Sequence, residues 1–236
     1  MTKEELIRYV NENICYKAPL DDAGFNKLET LMDLTLEANE KFNLTAIKDK
    51  EAFRELMIYD SLLPFKYFNF DDSSVLDVGT GAGFPGLPLA ISSKGKYTLL
   101  DSTNKKISHI CRVIDALGLK NADAVCFRIE DYVLNHRETY DYVLARAVAP
   151  LNILVELCLP LVKVGGSFIA LKGANGLEEL EDAKRAIEKL GGEVNITKID
   201  VLPLNKEKRI LIEIKKINHT LKKYPRQYGE IKSKPL

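Results

Sequence analysis

Apolar positions in the first seventy residues recur at helical spacing. Leu6, Tyr9 and Val10 mark one stripe; Phe25, Leu28, Leu31, Met32, Leu34 and Leu36 mark a longer one. Asp21 and Asp22 precede the longer stripe and are expected to cap it. A further helix is expected over 51–63, with its end at Pro64, because proline restricts the residue before it. From Val75 the rhythm changes. Short apolar runs over 75–78, 97–100, 124–127, 142–145 and 167–171 alternate with helical patterns over 87–92, 105–117, 153–161 and 177–190. Such alternation predicts βαβ units and a doubly wound, mostly parallel sheet. Gly191-Gly192 ends the last helix, and two more strands are expected around 193–201 and 209–214. With no long helix between them they form a hairpin, which brings one antiparallel strand into the sheet. The expected organisation is a helical N-terminal extension over 1–70, an α/β domain over 71–216 and a tail over 217–236.

Composition narrows the setting. At 46% hydrophobic and 29% charged residues, the 236-residue chain matches an ordinary globular protein. No apolar stretch approaches the ~20 residues of a membrane span. The polar start Met1-Thr2-Lys3-Glu4-Glu5 is unlike a signal peptide, so no membrane association and a cytoplasmic location are expected. Cys15, Cys111, Cys126 and Cys158 are scattered, without the spacing of a zinc or disulfide framework, and are expected as small buried thiols. No metal site is expected. Net charge is zero, yet residues 205–236 hold ten Lys/Arg against three Asp/Glu, a balance of +7. That basic segment is either a phosphate-binding surface or a solvated tail.

The run Val75-Leu76-Asp77-Val78-Gly79-Thr80-Gly81-Ala82-Gly83 carries the chemistry. It reads as a strand, then a glycine turn, then a helix beginning near Gly86. Glycines let a backbone turn sharply and approach a ligand. Gly81-x-Gly83-x-x-Gly86 satisfies a dinucleotide pattern, taken literally. Against a pyrophosphate stand Asp77 at the strand end, Pro85 in the loop, and a match that starts two residues after the turn. An anion at 77 suits a cationic ligand, and S-adenosylmethionine offers a sulfonium and an ammonium without phosphate. Asp101, at the end of the second strand, is expected to accept hydrogen bonds from ribose hydroxyls, a device shared by both cofactor classes.

The loop from Asp77 to Leu89 closely resembles that of the bacterial small-subunit ribosomal RNA guanine-N7 methyltransferases, also called the glucose-inhibited division protein B family. The resemblance continues in Asn43-Leu44-Thr45-Ala46-Ile47, Asp60-Ser61-Leu62, Asp101-Ser102, Ala145-Arg146-Ala147, Leu171-Lys172-Gly173 and Lys223-Tyr224-Pro225-Arg226, nearly the whole chain. Tyr59 stands where the family often has His, and Ile231 where its tail usually has Pro. The resemblance implies a Rossmann-like class I methyltransferase sheet with S-adenosylmethionine as donor and S-adenosylhomocysteine as product. It implies Gly79, Phe84, Ser102, Thr103, Ile129, Glu130 and Arg146 around the cofactor. Asp77, Gly81 and Asp101 join that set from the reading of the loop and the charges. The implied substrate is 16S ribosomal RNA, in the small subunit or its precursor, methylated at N7 of one guanine by a monomeric enzyme.

Guanine N7 carries a lone pair and no proton, so its attack on a sulfonium methyl needs alignment and dryness rather than a base. His109, His136 and His219 are isolated in the sequence, which agrees. Arg146 and Lys172, each after a strand, are the expected catalytic residues, Arg146 through a carboxylate, a phosphate or guanine O6 and Lys172 through a phosphate. Phe84 either shapes the pocket or stacks on the base. Asn43, Arg209, Lys223 and Arg226 are expected on the RNA side, with Tyr224 stacking, as in other RNA sites. Three other readings share the loop: a methyltransferase for a small molecule or protein, a nicotinamide-dependent oxidoreductase, and a non-catalytic RNA-binding protein.

Overall fold

The computed structural model describes residues 1–14 and 20–236, and Cys15 lies outside them. Helix α1 (Lys3–Asn13) starts at a capping box in which Thr2 and Glu5 each accept the other's backbone N–H. Asp21 caps α2 (Asp22–Phe42), as expected, accepting the N–H of Gly24 at 2.8 Å. Helix α2 buries the stripe Phe25, Leu28, Leu31 and Met32. The next helical stretch is composite: α3 (Lys50–Phe53), a wide π-turn (Arg54–Tyr59), α4 (Asp60–Leu62) and a 3-10 turn (Leu63–Lys66). It runs one turn past its expected end, because Pro64 sits where the ladder tightens to 3-10 bonding and its missing N–H is tolerated.

The sheet then builds in order: β1 (Ser74–Val78), α5 (Gly86–Ser92), β2 (Lys96–Asp101), α6 (Asn104–Leu117), β3 (Ala122–Cys126), α7 (Ile129–His136), β4 (Tyr140–Arg146), α8 (Leu151–Cys158), β5 (Val162–Lys172), α9 (Gly176–Lys189), β6 (Gly192–Val201) and β7 (Lys208–Lys216). The seven strands are ordered β3-β2-β1-β4-β5-β7-β6. Strand β7 runs antiparallel to both neighbours, and the pairs from β3 to β5 are parallel. This is the expected Rossmann-like α/β sheet with its one antiparallel strand. Two apolar cores cover its faces. One joins α1, α2, α5 and α6 through Leu6, Leu28, Leu87 and Ile110; the other joins α8 and α9 through Leu154 and Ile187.

Two short helices are absent from the apolar periodicity: α7 and α10 (Tyr228–Ser233). Helix α7 buries only Tyr132 and Val133, and α10 only Ile231, too few positions to make a stripe. His136 ends α7 with its ring stacked 3.8 Å from that of Tyr132. Cys158 is buried as expected, whereas Cys111 and Cys126 are exposed, one on the outer face of α6 and one at the end of the edge strand β3. Among the described residues no helix is long and apolar enough to cross a membrane.

Candidate active site

The strand order reverses at β1, with β2 on one side and β4 on the other, and a crevice forms at such a point. Register aligns the strand ends: Val78 lies beside Leu100 and Ala145, Arg146 beside Leu171, and Lys172 beside Ile210. Gly79, Asp101, Arg146, Lys172 and Arg209 therefore emerge on one edge of the sheet. A cleft of about 800 Å³ opens there, roofed by the N-terminal layer through Leu44, Thr45, Ile47, Leu56 and Met57.

Gly79, Gly81 and Gly83 have φ of +66°, +64° and +98°, a region that L side chains rarely adopt. The space above Gly81 is open, so a Cβ there would project into it. At Gly79 a Cβ would lie 2.5 Å from Val148 of the loop after β4, so close packing of the two loops depends on glycine. Asp77 is expected, from charge, against the cationic end of the cofactor. Its carboxylate instead lies beneath the loop, 1% exposed, and accepts from the Thr80 hydroxyl at 2.6 Å and the Gly86 N–H at 2.8 Å. It organises the loop and the start of α5 and does not line the cleft. Burial pushes its pKa up to about 6, against the pull of those two hydrogen bonds and the nearby Arg146. Its Oδ1 is buried with no hydrogen-bond partner among the described residues.

Asp101 accepts the Gly81 N–H at 3.1 Å and the Thr103 N–H at 2.8 Å, with Lys106 at 3.4 Å. Oδ2 takes both Gly81 and Lys106, while Oδ1 takes Thr103 alone and keeps a further lone pair for a hydroxyl. Ser102 and Thr103 are exposed, Ile129 and Glu130 half-buried; they follow the ends of β2 and β3 and are not among the residues that line the cleft. The Phe127 N–H donates to Asp101 O at 3.2 Å and ties the two strand ends together.

Arg146 lines the cleft. Its Nη1 donates to Leu56 O at 3.3 Å and to Asp60 Oδ2 at 3.1 Å, and its guanidinium carbon lies 6.0 Å from the centre of the Phe84 ring. Phe84 is 4% exposed and packs edge-on against Phe53, so it forms a wall of the cleft. Arg209 enters the same cleft, with Nε 3.0 Å from Asp60 Oδ1 and Nη1 2.8 Å from Glu207. Lys172 is expected to hold a phosphate. It is only 7% exposed, however, and spends its ammonium on Ala149 O at 2.7 Å and Glu179 at 2.6 Å. Those bonds brace the loop after β4 against α9.

Asn43 is exposed and ends α2 in the left-handed region at φ +49°. It begins the loop that brings Leu44, Thr45 and Ile47 over the cleft, a loop held by Asn39, which accepts the Thr45 N–H at 2.9 Å. The C-terminal residues lie elsewhere. The chain leaves β7 at the opposite edge of the sheet, where Thr220 bonds Glu138 and Leu190. Tyr224, expected to stack on a base, is 3% exposed between the ammonium groups of Lys189 and Lys223. Arg226, expected on a phosphate, is clasped by the fully buried Glu156 of α8. Lys223 is exposed. The site residue that sequence reasoning left without a role is Asp60; its signal was the Asp60-Ser61-Leu62 motif alone.

The cleft fits S-adenosylmethionine. It has a glycine cradle open above Gly81 and a guanidinium after β4, and the Asp101 carboxylate at the end of β2 is bonded to its lining residues Gly81 and Lys106. Among the described residues no group of acidic, His and Cys side chains is placed to hold a metal ion.

A family model described as rRNA small subunit methyltransferase G matches residues 25–210. The chain is 45% identical over 222 residues to the ribosomal RNA small subunit methyltransferase G of Alkaliphilus metalliredigens (strain QYMF), covering 92% of each. It is 42% identical over 239 residues to the protein of that name from Staphylococcus aureus (strain Newman), covering 100% of this chain and 99% of that one. Among solved structures, a SAM dependent methyltransferase from Aquifex aeolicus matches 73% of this chain and 96% of its own, with TM-score 0.51 and 20% identity. M. jannaschii TYW2 in complex with AdoMet matches 85% and 80%, with TM-score 0.51 and 13% identity. At these identities the structural likenesses speak to the fold alone.

Proposed function

The chain belongs to the rRNA small subunit methyltransferase G family, and from that premise we propose that it transfers a methyl group from S-adenosylmethionine to N7 of one guanine in 16S ribosomal RNA. The observation that carries the reading is convergence. The glycine loop after β1 and Arg146 after β4 meet at one cleft beneath an apolar roof, and Asp101 after β2 is bonded to two residues of its lining, Gly81 and Lys106. When bound, the cofactor supplies a methyl group on a positively charged sulfur, activated for attack by a lone pair. The chain has to bind, align and keep dry.

Gly79 and Gly81 let the backbone approach the cofactor, and Asp101 offers an acceptor to its ribose. Ser102, Thr103, Ile129 and Glu130 follow the ends of β2 and β3, where the adenine rests. Leu44, Ile47, Leu56, Met57 and Leu63 supply an apolar wall that excludes water from the reacting atoms. No base is required at N7. Burial holds His109 neutral by pushing its pKa down to about 4, and it packs against Thr35 of α2, away from the cleft.

Arg146 is constrained by the reaction itself. An arginine that took O6 and N7 of guanine together would occupy the lone pair that must attack. Nη1 is committed to Leu56 and Asp60 and Nη2 has a weak sulfur contact with Met57, so the remaining donors serve an oxygen, either guanine O6 or the cofactor carboxylate. Arg209 lies beside it on the RNA side. The target base has to leave its stack to reach this depth.

The wider substrate is the small ribosomal subunit or its precursor, met in the cytoplasm by a monomer. Within the N-terminal extension of residues 1–70, Leu44 to Leu63 roof the cleft; 71–216 carry the transfer, and 217–236 present Lys222, Lys223, Lys232 and Lys234 to phosphates from an anchored position. Two assays test the reading. Titration with S-adenosylhomocysteine and with NADH is expected to give tight binding of the first alone; tight binding of NADH alone would overturn it. Methyl transfer to deproteinised 16S rRNA and to small subunits lacking the modification is expected on at least one of the two, and on neither if the reading is wrong.

A further inference from the structure

Asp60 stands in the wall of the cleft without belonging to the glycine loop or to the expected RNA-side residues. It opens α4 directly after the π-turn and is 5% exposed. Its Oδ2 accepts from Arg146 Nη1 at 3.1 Å, and its Oδ1 accepts from Arg209 Nε at 3.0 Å. One carboxylate thus joins the N-terminal layer, the end of β4 and the start of β7.

The π-turn makes the junction possible. Bonding from the Asp60 N–H to Glu55 O widens the helix by one residue. Within it, Leu56 O, Met57 Sδ and the Asp60 carboxylate all reach the same guanidinium. Glu55, in the same turn, accepts the backbone N–H groups of Leu204 and Asn205 at 2.6 and 3.1 Å, fixing the connection that leads to Arg209. Arg146 therefore has one edge locked and its plane set beside Phe84 before any ligand arrives. A carboxylate this buried needs both partners to offset its desolvation, and it in turn removes most of their freedom to rotate.

We propose that Asp60 is a positioning residue for methyl transfer: it holds the guanidiniums of Arg146 and Arg209 in the orientation that meets cofactor and RNA. The inference rests on the methyltransferase reading above. It acts through Arg146, so the two residues form one unit whose losses do not add.

The test is a cycle of wild type, Asp60→Asn, Arg146→Lys and the double variant, read by kcat, KM for S-adenosylmethionine, S-adenosylhomocysteine affinity and melting temperature. Asp60→Asn is expected to lower kcat/KM about 100-fold, the scale of an ångström-level misplacement. The double variant is expected to fall no further than Arg146→Lys by more than about twofold. Full additivity would overturn the proposal. So would a folded Asp60→Asn protein that keeps wild-type kcat/KM while melting lower. Asp60→Glu covers the case in which the first variant does not fold. It retains the charge but moves the guanidiniums by about one methylene, and is expected to melt near wild type yet lose at least about tenfold in kcat/KM. Wild-type activity in Asp60→Glu would contradict positioning. Absence of transfer to RNA by the wild type would instead count against the reading beneath it, and S-adenosylhomocysteine affinity across the cycle still tests Asp60.

Discussion

Arg226 and Glu156 are seventy residues apart and form one clasp: the Arg226 N–H and Nε each donate to Glu156 Oε1 at 2.9 Å, and Nη2 donates to Oε2 at 2.7 Å. Glu156 is fully buried in α8, and its hydrogen bonds raise the arginine's pKa above the usual range. Arg226 is therefore an anchor for the C-terminal segment. Arg226→Met would strand a buried carboxylate and is expected to cost about 3–5 kcal/mol of stability. Urea denaturation checks the loss, and RNA binding across salt checks the role. An unchanged midpoint with a salt slope reduced by about one would make Arg226 a phosphate contact after all.

The exposed lysines of that segment behave differently. Lys222, Lys223, Lys232 and Lys234 point to solvent, so replacing them with Glu leaves the fold intact. Each one that meets a phosphate is expected to reduce the salt slope of RNA binding by about one when lost. A slope unchanged in all four variants would remove this surface from the RNA path.

Gly81 and Gly118 share nearly the same backbone, with φ of +64° and +61°. Alanine at either is expected to cost about 1–2 kcal/mol from the left-handed conformation. Only Gly81 faces the cleft, so only Gly81→Ala is expected to weaken S-adenosylhomocysteine binding, by at least about tenfold or 1.4 kcal/mol. Calorimetry of the two variants separates ligand approach from backbone strain. Equal weakening in both would show that strain alone matters.

Asp77 makes stability depend on pH. Its pKa rises from an ordinary 3.8 to about 6 through burial, so the folded state holds the proton more tightly than the unfolded chain. That contribution is complete below about pH 4 and disappears as pH rises through about 6. Melting of wild type and Asp77→Asn over pH 4–8, without ligand, is expected to show the advantage of the wild type shrinking to about pH 6 and then holding level. A difference that grows with pH would reverse the assignment.

Much of this was legible in the sequence because it lies in local patterns. Glycine spacing marked the turn after β1, apolar runs marked the strands of the sheet, and Asp21 marked a helix cap. The ends of β1, β2, β4 and β5 followed from those runs, so Gly79, Asp101, Arg146 and Lys172 could each be read as standing at a strand end. Sequence could not say which charges were already spent. Lys172 meets Glu179, Arg226 meets Glu156, and Asp77 turns under its own loop; each partner is fixed by tertiary packing. The π-turn was hidden for the same reason. Its extra residue goes with the contacts that Leu56, Met57 and Asp60 make to Arg146, and no helical stripe records them.

The central claim is the identity of the methylated atom. The most direct measurement incubates the purified protein and radiolabelled S-adenosylmethionine with unmodified small subunits or their 16S rRNA, then digests the RNA and locates the label. The expected result is label in 7-methylguanosine at a single position of 16S rRNA, lost in Arg146→Ala. Label on another base, on another atom of guanine, or on ribosomal protein would contradict the account.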